Sequence, residues 1–391
     1  MHEASGSSGP TEPLYDLVDL FCGCGGGSAG FMATGQYRHL YAADIDQWAC
    51  ATYERNLGHR PHTADLGSLA VQSDQWATGV GRDRRRPLVV LGGPPCQGFS
   101  SHVKMKGDRH GRNTLVESFA HLAIALRPEV IVMENVPDLV SDRWWPVFSA
   151  MRQDLRKAGY QVRARILNFA QLGVPQERFR LVLLATLSGR PTFPRIERQS
   201  SKEYSTVKEW IGHLPTISNG QTDPDDPMHE ASKHRASTLE IIKQVPPDGG
   251  NRPADVGPEC LRRARAAYGG YTDVYGRLAW SQTASTITAR CRTPSCGRFV
   301  HPEQHRGLTA REAALLQTFP DNWIYEGPFD DRYKQIGNAM PPLGMKAFAR
   351  HIAGGFPAHD DEVGLFEVGD RPVGSSFSVL IPGIRKRGGI L

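Results

Sequence analysis

The chain has 391 residues, 39% of them hydrophobic and 22% charged, with a net charge of +5 and a pI of about 8.8. That length supports a large core in two domains or lobes, and no apolar run reaches the roughly 18 residues of a membrane span. Seven cysteines, scattered without paired zinc spacing, argue against a disulfide framework or a zinc finger and for free thiols in a reducing cytoplasm. The positive balance is compatible with nucleic acid without establishing it.

Residues 1–12 are small and polar, lack the charged-then-apolar pattern of a signal peptide and are expected to be disordered. Asp16 to Phe21 predicts a short strand. It runs into Cys22-Gly23-Cys24-Gly25-Gly26-Gly27-Ser28-Ala29-Gly30-Phe31, a glycine-rich turn that opens a helix. Strand, turn and helix in that order form the first unit of a nucleotide-binding α/β fold. The glycines admit a ligand where a Cβ would exclude it, although their spacing does not fit the dinucleotide fingerprint. A second strand, 39–43, ends in Asp44-Ile45-Asp46. An acidic residue about 20 positions after the glycine turn suits a ribose diol, and a plain helix N-cap is the alternative for Asp44. Asp65-Leu66 follows a further turn and suits an adenine edge.

Leu88 to Leu91 predicts a buried strand, ended abruptly by Gly92-Gly93-Pro94-Pro95. The next residue is Cys96, followed by Gln97-Gly98-Phe99-Ser100. A thiol on a rigid turn at a strand's carboxyl end sits where open α/β sheets place their ligands. It reads as a nucleophile; the alternative is a buried cysteine that merely packs. Residues 101–113 carry Lys104, Lys106, Arg109 and Arg112 against Asp108 alone, which suits a lid closing on a phosphate backbone or a solvated loop. Leu115 to Leu126 predicts an amphipathic helix. Val130 to Met133 predicts another buried strand, ending in Glu134-Asn135-Val136-Pro137. A carboxylate beside such a run is costly unless it is partnered or functional. Arg178 and Arg180 enter a strand over 181–185 two residues apart, hence on one face, and two guanidiniums there suit a pyrimidine carbonyl and a phosphate.

From 187 to 280 the composition shifts to Pro, Gly, Ser and mixed charge, which reads as a separate loop-rich lobe. Arg262, Arg263 and Arg265 with Tyr268, Tyr271 and Tyr275 suit DNA contact or a solvated helix face. Regularity returns at 283–290 and at 308–317, where Thr309 and Glu312 spell a capping box. Gln335 to Pro342 forms a last motif. The tail from Gly355 onward has none, and Arg385-Lys386-Arg387 lies within it.

Six of these segments, in order from residue 16 to residue 342, resemble the motifs of the DNA cytosine-5 methyltransferases of bacterial and archaeal type. They include Asp19-Leu20-Phe21-Cys22-Gly23-Cys24-Gly25-Gly26, Pro95-Cys96-Gln97, Glu134-Asn135-Val136, Gln176-Glu177-Arg178-Phe179-Arg180 and, last, Gln335 to Pro342, where the resemblance implies that the returning chain completes the cofactor pocket. The resemblance implies an α/β fold with a Rossmann-like S-adenosylmethionine-dependent methyltransferase domain and a smaller, loop-rich target-recognition lobe. The implied division is 13–187 plus 330–354 for the catalytic domain, 188–329 for the recognition lobe and hinge, and 355–391 for a tail of unknown role. It implies that Cys96 adds to C6 of a flipped-out cytosine, that Glu134 acts at N3, and that Arg180 holds O2 with Arg178 in support. S-adenosyl-L-methionine would lie against Phe21, Gly23, Gly25, Gly26, Asp44, Ile45, Asp65, Leu66, Pro95, Leu115 and Asn338. Gln97, Ser100, Lys104, Lys106, Asn135 and Val136 would meet the substrate, and no metal is implied. The expected partner is double-stranded DNA, met by a monomer in the cytoplasm at the nucleoid, with a cognate restriction endonuclease or other defence system as a further candidate and no membrane. Two rivals stand beside this reading. One is a tRNA cytosine-5 methyltransferase, against which the size of the recognition lobe counts. The other is a catalytically silent DNA-binding relative, against which the retention of Cys96, Glu134 and both arginines counts.

Overall fold

The computed structural model describes residues 14–95, 114–268, 273–364 and 366–373. The frame is a mixed sheet of eight strands. These are β1 (Tyr15–Leu20), β2 (Tyr37–Asp44), β3 (His62–Thr63), β4 (Leu88–Gly92), β5 (Val130–Asn135), β6 (Gln161–Asn168), β8 (Phe179–Thr186) and β10 (Phe366–Glu367). A separate pair joins β7 (Gln176–Glu177) to β9 (Ala284–Ser285). The spatial order in the large sheet is β10-β6-β8-β5-β4-β1-β2-β3. Pairing is parallel from β3 through β2, β1 and β4 to β5, and antiparallel across β8, β6 and β10. Strand order reverses between β1 and β4, so the ligand crevice of such a sheet is expected outside the carboxyl ends of those two strands.

The apolar runs of β4 and β5 are buried along their whole length because helices cover both faces of the sheet. One layer holds α3 (Leu66–Ala70), α4 (Ser73–Gly79), α5 (Leu115–Leu126) and α6 (Trp145–Lys157), with Val18, Val90, Ile131 and Met133 packed against Phe119, Leu122, Phe148 and Met151. The opposite face presents Leu17, Val89, Leu91 and Val132 to α1 (Gly26–Met32) and α12 (Pro342–Ala353) through Phe31, Met345 and Phe348. Adjacent residues 17 and 18 point to different layers, as strand geometry requires. α2 (Gln47–Leu57) follows β2 and is capped by Asp46. A third cluster gathers around α10 (Ala310–Leu316) and α11 (Phe329–Asn338) and reaches the glycine turn through Cys24 and Ala29.

None of the eight strands falls within 187–283, whose described residues form short helices, α7 (Val207–Ile211), α8 (Ala236–Lys243) and α9 (Glu259–Tyr268), and isolated bridges. The capping boxes at Thr309/Glu312 and Thr114/Glu117 are both formed. Three sequence expectations are corrected. Phe21 has left the strand, with φ at 58°. β5 extends through Glu134 and Asn135, because β8 continues the ladder to Leu181. The segment 283–290 yields only the two residues of β9.

The tail beyond α12 is built into the frame. Val363 donates to Pro194 O, β10 pairs with Ile166 and Arg165, and Val373 donates to Val140 O. Glu362 accepts from both Arg163 and Arg165, and Glu367 binds the same two arginines. Arg152 of α6 holds Gly369 O and Asp370. This strap covers the outer edge of β6. Among the described residues, no helix is long and apolar enough to cross a membrane.

Candidate active site

Every expected site residue that is described lies at one end of the sheet. Parallel strands β1, β2, β4 and β5 bring their carboxyl ends together there. β8 runs the other way, so its first residues reach the same place. Cys96, Gln97, Ser100, Lys104 and Lys106 lie outside the described residues, but the turn that leads to Cys96 is described through Pro95.

The glycine turn is fixed by alternate left-handed residues, Phe21 (φ 58°), Gly23 (φ 52°) and Gly25 (φ 89°). Its partners are local. Gly23 N–H donates to Asp44 Oδ2 at 2.9 Å, and Cys22 N–H to Ala43 O at 3.1 Å. Asp44 Oδ1 accepts Asp46 N–H at 2.9 Å, so both carboxylate oxygens are held at the β2 terminus, and burial raises its pKa. The N-cap of α2 is Asp46, not Asp44. Asp65 is a true N-cap, accepting from Gly67 N–H and Ser68 Oγ. Leu66 is buried, whereas the Ile45 side chain is 70% exposed at the rim, next to a partly exposed Trp48. Leu115 opens α5 beside Gly67, where an added Cβ would come within 3.1 Å of it. Asn338, the last residue of α11, is exposed.

The glycines differ in what surrounds them. A Cβ at Gly23 would meet nothing within 4 Å, so open space lies there. At Gly25 it would fall 2.9 Å from Tyr53 and 2.8 Å from Leu57, and at Gly26 only 2.3 Å from Met340 O. The expectation that Gly25 and Gly26 clear room for a ligand is therefore corrected. They allow α1 to pack on α2 and on the returning chain. Met340 belongs to the returning segment, Gln335 to Pro342, that the resemblance brought to the pocket, but no individual role was expected of it. It lies under both the glycine turn and the Gly93 turn, where an added Cβ at Gly93 would sit 3.2 Å from its Cε. Gly93 and Gly26 lie 247 and 314 residues before Met340, so no local pattern announces either contact.

Glu134 is 7% exposed, and its Oε1 lies 2.8 Å from Arg180 Nε. The pair is diagonal across β5 and β8, since Glu134 stands opposite Val182. Burial lowers the Arg180 pKa, and Glu134 opposes that shift. Arg180 Nη1 also donates to Phe179 O.

Arg178 does not share this work. It lies just before β8, 1% exposed, and donates to Ile287 O, Gly337 O and Ala339 O. The idea that both guanidiniums hold the substrate is corrected, whereas the supporting role implied by the resemblance takes the form of a brace that ties the start of β8 to two distant segments. Gln176 acts alongside, donating to Leu316 O and accepting Ile287 N–H. Asn135 is also committed within the chain. Its Nδ2 donates to Pro94 O at 2.8 Å and its Oδ1 accepts Val136 N–H at 2.8 Å, with the side chain buried. Its expected contact with substrate is corrected accordingly, and Val136 enters the 3-10 turn Pro137–Val140.

Outside this end, Tyr275 is buried on Val300 and Ile242, away from the exposed position expected of a DNA contact. Arg262 and Arg263 are exposed on α9, with Arg263 paired to Glu259, and Tyr271 lies outside the described residues. No group of three or more potential metal ligands is found among the described residues.

A sheet with this reversal point, a glycine turn tied to an acidic strand end, and a buried carboxylate–guanidinium pair beside a Pro-Pro turn define a class of group-transfer enzymes of Rossmann-like build. Sequence comparison places the chain within it. Residues 15–354 match the C-5 cytosine-specific DNA methylase family, and the chain belongs to that family. It is 33% identical to the Type II methylase M.HgiDII of Herpetosiphon aurantiacus over 347 residues, covering 86% of this chain and 94% of that one. It is 34% identical to the Type II methyltransferase M1.HphI of Haemophilus parahaemolyticus, with 86% of each chain covered. The fold is shared with a prophage-encoded methyltransferase of E. coli, at a TM-score of 0.61 and 22% identity, covering 87% of this chain and 99% of that one. It is shared also with the S. pombe Dnmt2 methyltransferase, at 0.55 and 17%, covering 87% and 98%.

Proposed function

We propose that the protein transfers a methyl group to C5 of a cytosine flipped out of double-stranded DNA, through a covalent bond between Cys96 and C6. The observation that carries this reading is the Glu134–Arg180 ion pair, buried at the sheet end where the turn toward Cys96 also emerges. C5 of cytosine is a weak nucleophile. Addition of the Cys96 thiolate to C6 breaks the 5,6 double bond and makes C5 enamine-like. Glu134 holds a proton at N3, which accepts the electron density that the addition displaces. Arg180 keeps that carboxyl oriented and faces O2. After methylation, water takes the C5 proton, the C–H electron pair re-forms the 5,6 double bond as the C6–S bond breaks and Cys96 leaves as thiolate, and N3 returns its proton to Glu134. A base inside a duplex is out of reach of these groups, hence the flip.

S-adenosyl-L-methionine fits the crevice. The open space at Gly23, the fixed carboxylate of Asp44 and the exposed Ile45 side chain suit its backbone, ribose and adenine, with Phe21, Asp65, Leu66, Pro95, Leu115 and Asn338 around them. When bound, it supplies an electrophilic methyl sulfonium. Residues 188–329 form the target-recognition lobe and its hinge in this reading, with Lys104 and Lys106 on phosphates and Gln97 and Ser100 near the base. The relatives' names, Type II methylases, favour a cognate restriction endonuclease as partner and a place in the cytoplasm with the chromosome.

The test is a duplex carrying 5-fluorocytosine, from which fluorine cannot leave as the proton does. The wild type is expected to form an adduct stable to denaturant that maps to Cys96, and Cys96→Ser to form none and lose nearly all turnover. An adduct on Cys22 or Cys24, or none with any cytosine-bearing duplex, would overturn the reading.

A further inference from the structure

The ladder between β4 and β5 ends at Gly92 opposite Met133. Beyond it β4 gives way to Gly93-Pro94-Pro95. Proline has no N–H, so this segment has little to offer a continuing ladder, and a buried Pro94 carbonyl needs a donor from elsewhere. β5 runs on for two residues beyond Met133, and its last side chain supplies that donor, from Asn135 Nδ2 to Pro94 O at 2.8 Å. The other end of the same amide accepts Val136 N–H. Asn135 is 5% exposed and bonded on both sides, so its rotamer is fixed.

We propose that Asn135 is a positioning residue for the reaction: its amide replaces the missing rung of the sheet and sets the distance between the nucleophile's turn and the carboxylate of Glu134. Pro94 lies two residues before Cys96, and Glu134 lies one residue before Asn135. Among the described residues, one buried hydrogen bond thus joins the two segments that must meet on opposite edges of one pyrimidine ring. The strand pairing alone does not do so, because it stops at Gly92. A shift of about 1 Å between reacting groups is enough to cost on the order of 100-fold in rate. The inference rests on the roles proposed above for Cys96 and Glu134.

Two variants separate the bond from the fold. Asn135→Ala removes both hydrogen bonds. Asn135→Asp keeps the acceptor for Val136 N–H and lacks the donor for Pro94 O. Both are expected to bind S-adenosylmethionine and duplex DNA with wild-type affinity. Both are expected to show single-turnover methyl transfer and 5-fluorocytosine adduct formation slowed on the order of 100-fold, with KM for DNA unchanged. Asn135→Gln, which keeps an amide one methylene too long, is expected to fall between. If Asn135→Asp forms the adduct at the wild-type rate, the Pro94 bond does no positioning and the proposal fails. If the rates fall only in step with cofactor affinity or melting temperature, the role is merely structural and the proposal fails as well. The wild type on the same 5-fluorocytosine duplex is the control: absence of its adduct would refute the reading of Cys96 itself, independently of Asn135.

Discussion

Asp19 shows what a single buried group does to this protein. It is 1% exposed; its Oδ2 accepts Ser28 Oγ at 2.6 Å, and its Oδ1 makes no full hydrogen bond among the described residues. Burial pushes its pKa up to about 7, with nearby Asp44 adding to the rise. The folded state then holds a proton that the unfolded chain has released, so this group's contribution to stability falls as pH rises from about 4 to 7. Asp19→Asn removes that slope. Between pH 5 and 7.5 the variant is expected to gain about 2 kcal/mol over the wild type in urea unfolding. A constant difference between the two proteins at both pH values would show that Asp19 does not titrate there. His39, His301 and His351 are lowered to about 4 by burial and act in the opposite sense, but they are common to both chains and cancel. At this scale the sequence spoke clearly about identity and poorly about partners. Glu134 and Arg180 stand out as charges beside apolar runs. Spacing alone does not distinguish Arg178, which caps carbonyls at 287, 337 and 339, from Arg180, which faces Glu134; only the resemblance put the first in support of the second.

Among the elements, the glycine turn separates two uses of one residue type. Gly23 has a left-handed φ and open space beyond it, whereas Gly26 is pressed on Met340 O. Gly23→Ala is expected to keep the fold at a strain cost of about 1–2 kcal/mol and to lose at least tenfold in S-adenosylmethionine affinity. Gly26→Ala is expected to lower stability by about 3 kcal/mol or more, since the overlap is with backbone. Calorimetric titration beside thermal melting reads both, and unchanged binding by a folded Gly23→Ala would remove the crevice from this place. The strands and the turn were legible because their signals are local: apolar runs bounded by Gly and Pro. The floor beneath the turn was legible only through the resemblance, which brought the segment Gln335 to Pro342 back to the pocket; local signals do not show that Met340 in it lies under Gly26, because it arrives from the far end of the chain.

On the scale of the whole molecule, the family match ends at residue 354, yet the strap from Asp361 to Val373 completes the sheet. A chain ended at residue 354 leaves Arg163 and Arg165 without Glu362 and Glu367 and exposes the edge of β6. Such a chain is expected to lose about 3–5 kcal/mol in urea unfolding and to aggregate through the open edge, as light scattering would report. An unaltered unfolding midpoint would show the strap to be dispensable. No motif in the tail foretold this role, because edge pairing and charge pairing leave no spacing rule in sequence.

The packing of α1 on α12 has a consequence in time. An added Cβ at Gly30 would overlap Pro342 O and Lys346 N, and one at Gly26 Met340 O, so the glycine turn rests on chain made more than 300 residues later. At translation rates of about 5–20 residues per second, roughly 15–60 s separate synthesis of the turn from synthesis of its floor. The emerging chain therefore carries the proposed nucleophile and acid, Cys96 and Glu134, long before it has a finished pocket. On the function proposed above, the pocket is expected to close only after α12 has left the ribosome and docked on α1.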